Sequence, residues 1–297
     1  MQRKTSADFD PEVLKLFDKY VHGIIDRRGF LLGAAKYAVG GITATALLDA
    51  LNPKFAEAEQ VKKNDSRINA RFVEYASPAG YGRMRGYLAQ PAQAARKRPG
   101  VLVVHENRGL SPHIEDITRR LALDNFLAFA PDALFPLGGY PGDEDQARAL
   151  FATLDQPKTR EDFVAAVGFL KRLPECSGKL GAVGFCYGGG IVNMLATRLP
   201  DLAAAVPFYG DQPAAADVPK IKAPLLVHYA ENDERINAGR AAHEAALKSA
   251  HVKFASYVYP GTQHGFNNDT TPRYDEAAAR LAWQRTIAFF NANLRAT

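Results

Sequence analysis

The sequence predicts an α/β fold with a mainly parallel, doubly wound sheet, helices on both faces, and a helical N-terminal tail. Three observations indicate this fold class. From about residue 67 onward, strand-like apolar runs alternate with helix-like runs. Residues 99–105 are almost continuously apolar, as in a strand of a buried parallel sheet. The residues around Cys186 carry the glycine-rich pattern of a sharp turn from a strand into a helix.

The composition is that of an ordinary globular protein, with 47% hydrophobic and 23% charged residues among 297. The net charge is +5, yet no dense basic stretch is interleaved with aromatic residues, so nucleic acid is not an expected partner. The two cysteines, Cys176 and Cys186, lack metal-binding spacing and exclude a disulfide framework. We therefore predict neither a metal nor a cofactor. The sequence leaves the oligomeric state open, a monomer included.

The N-terminal segment, residues 1–66, differs in character from the rest. Asp10 is a suitable helix cap and Pro11 suits a first helical position, so a short helix is predicted as far as Tyr20. A moderately apolar, Ala- and Gly-rich run then continues to Leu51. The run is too polar to predict a stable membrane span.

Part of this segment, about residues 26–58, resembles a twin-arginine export signal. Arg27 and Arg28 precede the apolar run, and residues 56–58 offer a small-x-small cleavage site. This order predicts a periplasmic or exported protein. The alternative is a cytoplasmic protein that retains an amphipathic helix, packed on the domain or on a neighbour, because Lys36 and Tyr37 interrupt the run.

The main domain, residues 67–297, begins with a predicted hairpin. Residues 71–75 and 83–89 form its two strands, joined by a turn that contains proline and glycine. A helix is predicted over 111–124 and a strand over 126–130. The alternation continues with predicted strands 179–184, 202–208, 224–229 and 254–259 and predicted helices 143–154, 160–173, 189–197, 238–249 and 275–293.

The glycine-flanked turn at Cys186 has the pattern of a nucleophile elbow, small-x-nucleophile-x-small, between Gly184 and Gly188. Such a turn strains the apex residue and exposes its side chain, and any Cβ at the flanking positions would clash. A thiol at a helix N-terminus lies in the positive end of the helix dipole, which favours the thiolate. The alternative is a buried cysteine in a structural turn.

Candidate partners for the thiol follow other predicted strands, because active residues of a parallel sheet gather at the carboxyl ends of its strands. Glu106, Asp233 and His264 each lie in such a position. The chain order nucleophile, acid, histidine is typical of a hydrolase triad. From position alone, Asp233 competes with the other acids Asp211, Glu231 and Glu234. Glu106 alone could equally be a solvated loop carboxylate.

From about Phe72 to the C-terminus, the chain resembles the dienelactone hydrolases, which are carboxymethylenebutenolidase-like α/β-hydrolases. The resemblance rests on Gly-Phe-Cys186-Tyr-Gly-Gly, the Glu106 loop, Ala-Pro-Asp132, Asn-Asp233 and His264-Gly-Phe. It implies an α/β-hydrolase fold without a cofactor. It also implies hydrolysis of a small ester or lactone through a thioester on the cysteine.

The resemblance further implies a role for each site residue. Cys186, His264 and Asp233 would form the triad, and Glu106 would contact the resting thiol and oppose its ionisation. Two backbone N–H groups, those of Tyr187 and Asn107, would form the oxyanion hole.

The sequence departs from the family at the arginines that bind a substrate carboxylate. Residues 135–140 and residues 267 and 268 hold none, so Arg108 is the candidate substitute, and its alternative role is a structural salt bridge. Two other function classes remain open. One is a non-catalytic protein that binds a small molecule or a partner on the same fold, and the other is a thiol redox protein that uses Cys186.

Overall fold

The computed structural model describes residues 4–38, 41–93 and 96–295, and its centre is an eight-stranded sheet. The strands are β1 Ile68–Ser77, β2 Gly82–Pro91, β3 Arg98–Val104, β4 Leu127–Pro131, β5 Cys176–Phe185, β6 Ala204–Phe208, β7 Leu225–Asn232 and β8 Phe254–Gln263. Their order across the sheet is β1-β2-β4-β3-β5-β6-β7-β8. Only β2 runs antiparallel to its neighbours, and every other adjacent pair is parallel. The predicted mainly parallel sheet is confirmed.

Ten α-helices lie in the described residues. They are α1 Pro11–Val21, α2 Arg27–Ala34, α3 Ala44–Leu51, α4 Phe55–Ala58, α5 Pro112–Leu123, α6 Glu144–Ala152, α7 Gln156–Arg172, α8 Tyr187–Arg198, α9 Glu234–Ser249 and α10 Glu276–Leu294. Short 3-10 helices cover Ser6–Asp8, Ala35–Tyr37, Phe135–Leu137 and Ala215–Lys220. None of the helices in these ranges is long and apolar enough to cross a bilayer.

Helices cover both faces of the sheet, as predicted. Phe163 of α7 and Leu195 of α8 pack into the apolar core on one face. Ile117 of α5 and Phe290 of α10 pack into the core on the other face. With both faces buried, the functional groups of the sheet are left at the carboxyl ends of its strands.

Several elements are longer than the sequence pattern indicates, and α9 is the instructive case. The predicted helix begins at residue 238, whereas α9 begins at Glu234. Asp233 caps it, because its Oδ1 accepts a hydrogen bond from the N–H of Ile236 at 3.3 Å. The helix therefore starts directly at the carboxyl end of β7, and the cap residue is itself a candidate site residue.

The N-terminal segment folds onto the main domain. Helices α1 to α3 share a small apolar core that includes Phe17, Phe30 and Leu48, each at most 2% exposed. The apolar run of the export-signal pattern contains α2, the 3-10 helix Ala35–Tyr37 and α3, and its residues 39 and 40 lie outside the described residues. The segment is joined to the domain by an ion pair between Arg27 Nη1 and Asp145 Oδ2 at 3.0 Å, among other contacts.

Candidate active site

The elbow holds Cys186 in an uncommon backbone conformation. Its φ is 56° and its ψ is −116°, between the end of β5 and the start of α8. The turn is tight, since a Cβ added to Gly184 would lie 2.1 Å from the carbonyl oxygen of Gly188. A Cβ on Gly188 would lie 2.2 Å from the carbonyl oxygen of Val104 in the neighbouring strand β3. Only glycine fits at both flanking positions, and this strained turn holds the thiol above the sheet edge.

Asp233 and His264 meet at the same edge. Asp233 follows β7 and His264 follows β8, and these strands are parallel neighbours. His264 Nδ1 donates a hydrogen bond to Asp233 Oδ2 at 2.6 Å, with both side chains buried. This bond fixes the ring so that Nε2 faces the thiol, within 4.8 Å of Cys186 Sγ. The competing acid Asp211 instead pairs with Arg235 at 2.7 Å and is mostly exposed.

The thiol and the imidazole change each other's protonation. Burial raises the pKa of Cys186, but the charges of His264 and His22 outweigh it and lower the pKa to about 6. Burial lowers the pKa of His264, but the thiolate and Asp233 outweigh it and raise the pKa to about 10. Near neutral pH both groups are therefore charged, as a thiolate and an imidazolium.

Glu106 lines the same cavity as Cys186. Its Oε2 accepts a hydrogen bond from Asn268 Nδ2 at 2.9 Å. The hydrogen bonds of the described residues pair Glu106 with this amide and not with the thiol. The family resemblance implies a contact between this carboxylate and the resting thiol; in this structure the imidazole of His22 lies against the sulfur, 3.4 Å from Sγ.

The two predicted backbone donors lie on adjacent elements. Tyr187 is the first residue of α8, so its N–H has no acceptor within the helix. Asn107 lies in the turn after β3, the strand that pairs with β5 beside the elbow. Its side-chain Nδ2 donates to the carbonyl oxygen of Val21 at 2.8 Å.

Arg108 is buried and its donors are engaged within the protein. Its Nε contacts Glu144 Oε2 at 3.2 Å, and its Nη1 donates to the carbonyl oxygen of Val21 at 3.2 Å. These contacts match the alternative role given for Arg108 above, a structural salt bridge. A second arginine, Arg273, lines the cavity although the sequence analysis did not single it out, and its Nη1 lies 3.5 Å from Asp18 Oδ1.

The N-terminal segment covers the nucleophile, which the sequence analysis missed. His22, directly after α1, has its ring edge-on to His264 with centroids 4.7 Å apart. His22 Nδ1 donates to the carbonyl oxygen of Asp18 at 2.8 Å. The available signal was the spacing of Asp18 and His22, four residues apart, but nothing in it indicated contact with Cys186.

Little space remains above the thiol. The cavity that Cys186 lines has a volume of about 40 Å³, and Phe17, Tyr20 and His22 form part of its wall. A water molecule needs on the order of 10–15 Å³, so the cavity has room for only a few water molecules. The N-terminal segment therefore restricts access to Cys186 in this structure.

Comparison with known proteins identifies the family. The model of the dienelactone hydrolase family matches residues 84–294, and a separate YqhI-like model matches residues 1–37. A provisionally named hydrolase fragment of Escherichia coli K12, YghX, is 50% identical over 114 residues, which are 38% of this chain and 97% of the fragment.

A protein of the same organism, named provisionally as a carboxymethylenebutenolidase, is 33% identical over 245 residues, covering 77% of this chain and 89% of that protein. The crystal structure of a dienelactone hydrolase-like promiscuous phosphotriesterase from metagenomic libraries matches with a TM-score of 0.65 and 26% identity, covering 76% of this chain and 99% of that one. This chain is a hydrolase with the α/β-hydrolase fold, and it belongs to the dienelactone hydrolase family.

Proposed function

We propose that the protein hydrolyses a small ester or lactone through a Cys186–His264–Asp233 triad and a thioester intermediate. The supporting observation is the convergence of three strand ends on one point. The thiol at the elbow lies within 4.8 Å of His264 Nε2, and His264 Nδ1 is bonded to Asp233. A lowered thiol pKa and a raised imidazole pKa supply both a nucleophile and an acid.

The reaction has two balanced halves. The Cys186 thiolate attacks the ester carbonyl carbon, the carbon–oxygen bond to the leaving group breaks, and the His264 imidazolium gives its proton to the departing alkoxide. Neutral His264 then takes a proton from water as the water attacks the thioester, and Cys186 leaves as a thiolate. Asp233 holds the tautomer and stabilises the imidazolium in both halves. The N–H groups of Tyr187 and Asn107 donate to the developing oxyanion.

Glu106 has a proposed role as a restraint on the thiolate. Its carboxylate lines the cavity and is oriented by Asn268. A negative charge in the same cavity as the sulfur opposes ionisation of the thiol. It therefore limits the reactivity of Cys186 toward oxidants between turnovers.

Arg273 is a better-placed candidate than Arg108 for binding a carboxylate on the substrate. Arg108 is buried against Glu144 and the Val21 carbonyl. Arg273 faces Asp18, a carboxylate of the covering segment. When the segment moves, a substrate carboxylate can take the position that Asp18 holds.

The two rival functions have less support. A protein that only binds a ligand does not require a strained elbow or a buried acid–histidine pair. A redox role needs a resolving thiol, and Cys176 is the first residue of β5 whereas Cys186 directly follows its last. The regular part of β5 between Leu180 and Gly184 alone spans about 13 Å, which is beyond the reach of a disulfide.

The thioester is the direct test of this function. Wild-type protein and Cys186→Ala are mixed with a set of small esters and lactones, quenched in acid, digested at low pH, and measured by intact-protein and peptide mass spectrometry. We expect an added acyl mass on the peptide containing Cys186 in wild type and none in the variant. Acylation of another residue would contradict the proposal.

We also propose export through the twin-arginine pattern at Arg27 and Arg28, with removal of about residues 1–58. The order of arginines, apolar run and cleavage pattern supports it. The burial of Phe30 within α2 supports the alternative, a cytoplasmic protein that retains its helix. N-terminal sequencing of the protein from fractionated host cells decides between them. A mature chain that begins at Met1 in the cytoplasm would reject export.

A further inference from the structure

Three side chains able to bind a metal ion converge where the N-terminal segment meets the hydrolase domain. Cys186 Sγ, His22 Nε2 and His264 Nε2 all lie within 4.8 Å of one another, and the sulfur is 3.4 Å from His22 Nε2. A tetrahedral zinc ion with a sulfur ligand at about 2.3 Å and a nitrogen ligand at about 2.0 Å separates those two atoms by about 3.5 Å. Shifts of about 1 Å bring the set to this geometry.

Both imidazoles are held in the tautomer that a metal requires. His264 Nδ1 donates to Asp233 Oδ2 at 2.6 Å, and His22 Nδ1 donates to the carbonyl oxygen of Asp18 at 2.8 Å. Metal-binding histidines almost always donate their other ring N–H to a carboxylate or a carbonyl, which orients the ring. Each Nε2 therefore faces the same point, and His264 would release its Nε2 proton when an ion binds.

His264 Nε2 is buried without a well-formed hydrogen bond. His264 is 4% exposed, and its Nε2 makes no hydrogen bond of good geometry to the described residues, although the charge of Cys186 acts on it. A buried polar atom without a partner is unfavourable, and such an atom in a native site needs an explanation. A ligand at the centre of this cluster would satisfy the nitrogen, the sulfur and His22 Nε2 together.

We propose that, where the N-terminal segment is retained, Cys186, His22 and His264 bind one Zn²⁺ ion, with water as the fourth ligand. One thiolate and two imidazoles form a borderline-soft ligand set that suits Zn²⁺. The ion engages the sulfur lone pair and the His264 lone pair, which are the nucleophile and the base of the proposed hydrolase. It also ties residue 22 to residues 186 and 264. The metal-bound form is therefore closed and inactive.

One positive group opposes the ion and must move. Arg235 Nη2 donates to His22 Nε2 at 3.1 Å, while its Nη1 contacts Asp211 Oδ1 at 2.7 Å. The side chain of Arg235 is 33% exposed, so it can turn toward solvent and keep its contact with Asp211. The carboxylates of Asp18 and Asp233, behind the two imidazoles, offset the charge of the ion.

The test uses Co²⁺, which reports a bound thiolate by absorption and does not depend on turnover. Metal-free full-length protein is titrated with Co²⁺, then with Zn²⁺ in competition with a coloured chelator. We expect a thiolate-to-cobalt charge-transfer band, intense tetrahedral visible bands, saturation at a single ion per chain, and displacement of the cobalt by zinc. The His22→Gln variant should bind at least about 100-fold more weakly, beyond what loss of an outer partner usually costs.

Matched variants separate this site from others. Cys186→Ser should lose the charge-transfer band, while Cys176→Ser and His251→Gln, which change the other cysteine and an exposed histidine, should behave as wild type. Circular dichroism confirms that each variant is folded. Wild type without the band, Cys186→Ser that keeps it, or His22→Gln that binds as tightly as wild type would each overturn the proposal. Failure of the hydrolase mechanism would leave these absorption results unchanged.

Discussion

The two regions that meet at Cys186 hold their functional groups in different ways. In the hydrolase domain, Cys186, Asp233 and His264 each follow a strand of one sheet, so the sheet itself sets their spacing. In the N-terminal segment, His22 follows the 11-residue helix α1, so no strand of the sheet sets its position. It is positioned through side-chain contacts to loops of the main domain. The hydrolase groups are therefore preorganised, and the segment is a cover that can be displaced.

Polar contacts help to hold this cover against the main domain. The carbonyl oxygen of Val21 accepts from Asn107 Nδ2 at 2.8 Å and from Arg108 Nη1 at 3.2 Å. The carbonyl oxygen of Tyr20 accepts from Arg148 Nη1 at 2.6 Å. Asp18 is held between His22 and Arg273, and although burial raises its pKa, those charges and that of His264 lower it further. A ligand with its own carboxylate can compete for several of these donors.

The largest expected effect comes from a change in the preorganised hydrolase domain. Cys186→Ala removes the nucleophile and should reduce kcat for the best ester substrate on the order of 10⁵- to 10⁶-fold, as loss of a triad nucleophile does. Steady-state hydrolysis by purified wild type and variant measures it. Cys176→Ala is the matched control and should keep nearly full activity. Activity in Cys186→Ala within tenfold of wild type would place the nucleophile elsewhere.

Asp233→Asn should reduce kcat by about 10⁴-fold, because the amide no longer holds the imidazole tautomer or stabilises its charge. The pKa of Cys186 should also rise from its lowered value of about 6 toward 9, since less positive charge remains on His264. The pH at which Cys186 alkylation becomes fast would then be higher in the variant than in wild type. Asp211→Asn, the exposed competitor, serves as the control. A profile equal to that of wild type would remove Asp233 from the triad.

A smaller effect is expected from loosening the cover. Phe17→Ala removes a side chain that is 2% exposed and belongs to the apolar core of the segment. Loss of such packing commonly costs about 3–5 kcal/mol, which favours the open form locally. Alkylation of Cys186 should become at least about tenfold faster. Leu32→Ala, at a position that is 70% exposed on the same segment, should leave the rate as it is.

The smallest effect concerns Glu106. Glu106→Gln removes a negative charge near the sulfur, so the thiol pKa should fall further and alkylation below pH 6 should quicken by a few-fold. Turnover should nevertheless decrease, because the controlled activation of the thiol is lost. Superimposable alkylation profiles for wild type and Glu106→Gln would remove this carboxylate from the mechanism.

The comparison also explains what the sequence could predict. Cys186 was recognisable because its constraint is local, a tight turn between two glycines. Asp233 and His264 were recognisable because parallel strands bring their carboxyl ends to one edge. The position of His22 could not be predicted from the sequence, because it depends on contacts with residues more than 80 positions away, such as Asn107 and Cys186. No local pattern encodes such contacts.

The predicted contact between Glu106 and the thiol also depends on distant parts of the chain. The family pattern places the carboxylate near the thiol, and it does line the cavity. The imidazole of His22 lies against the sulfur, and Asn268 binds the carboxylate. Both partners come from parts of the chain that the motif does not include.

The most direct test of the cover is the reactivity of Cys186 with and without the segment. The full chain and a chain that begins at Glu59 are alkylated with iodoacetamide at pH 7.5, and modification of each cysteine is followed by peptide mass spectrometry. Buried Cys176, which is 4% exposed, serves as an internal control for unfolding. We predict that Cys186 reacts at least about 100-fold faster in the shortened chain while Cys176 stays unmodified in both. Equal rates at Cys186 in two folded proteins would contradict the account.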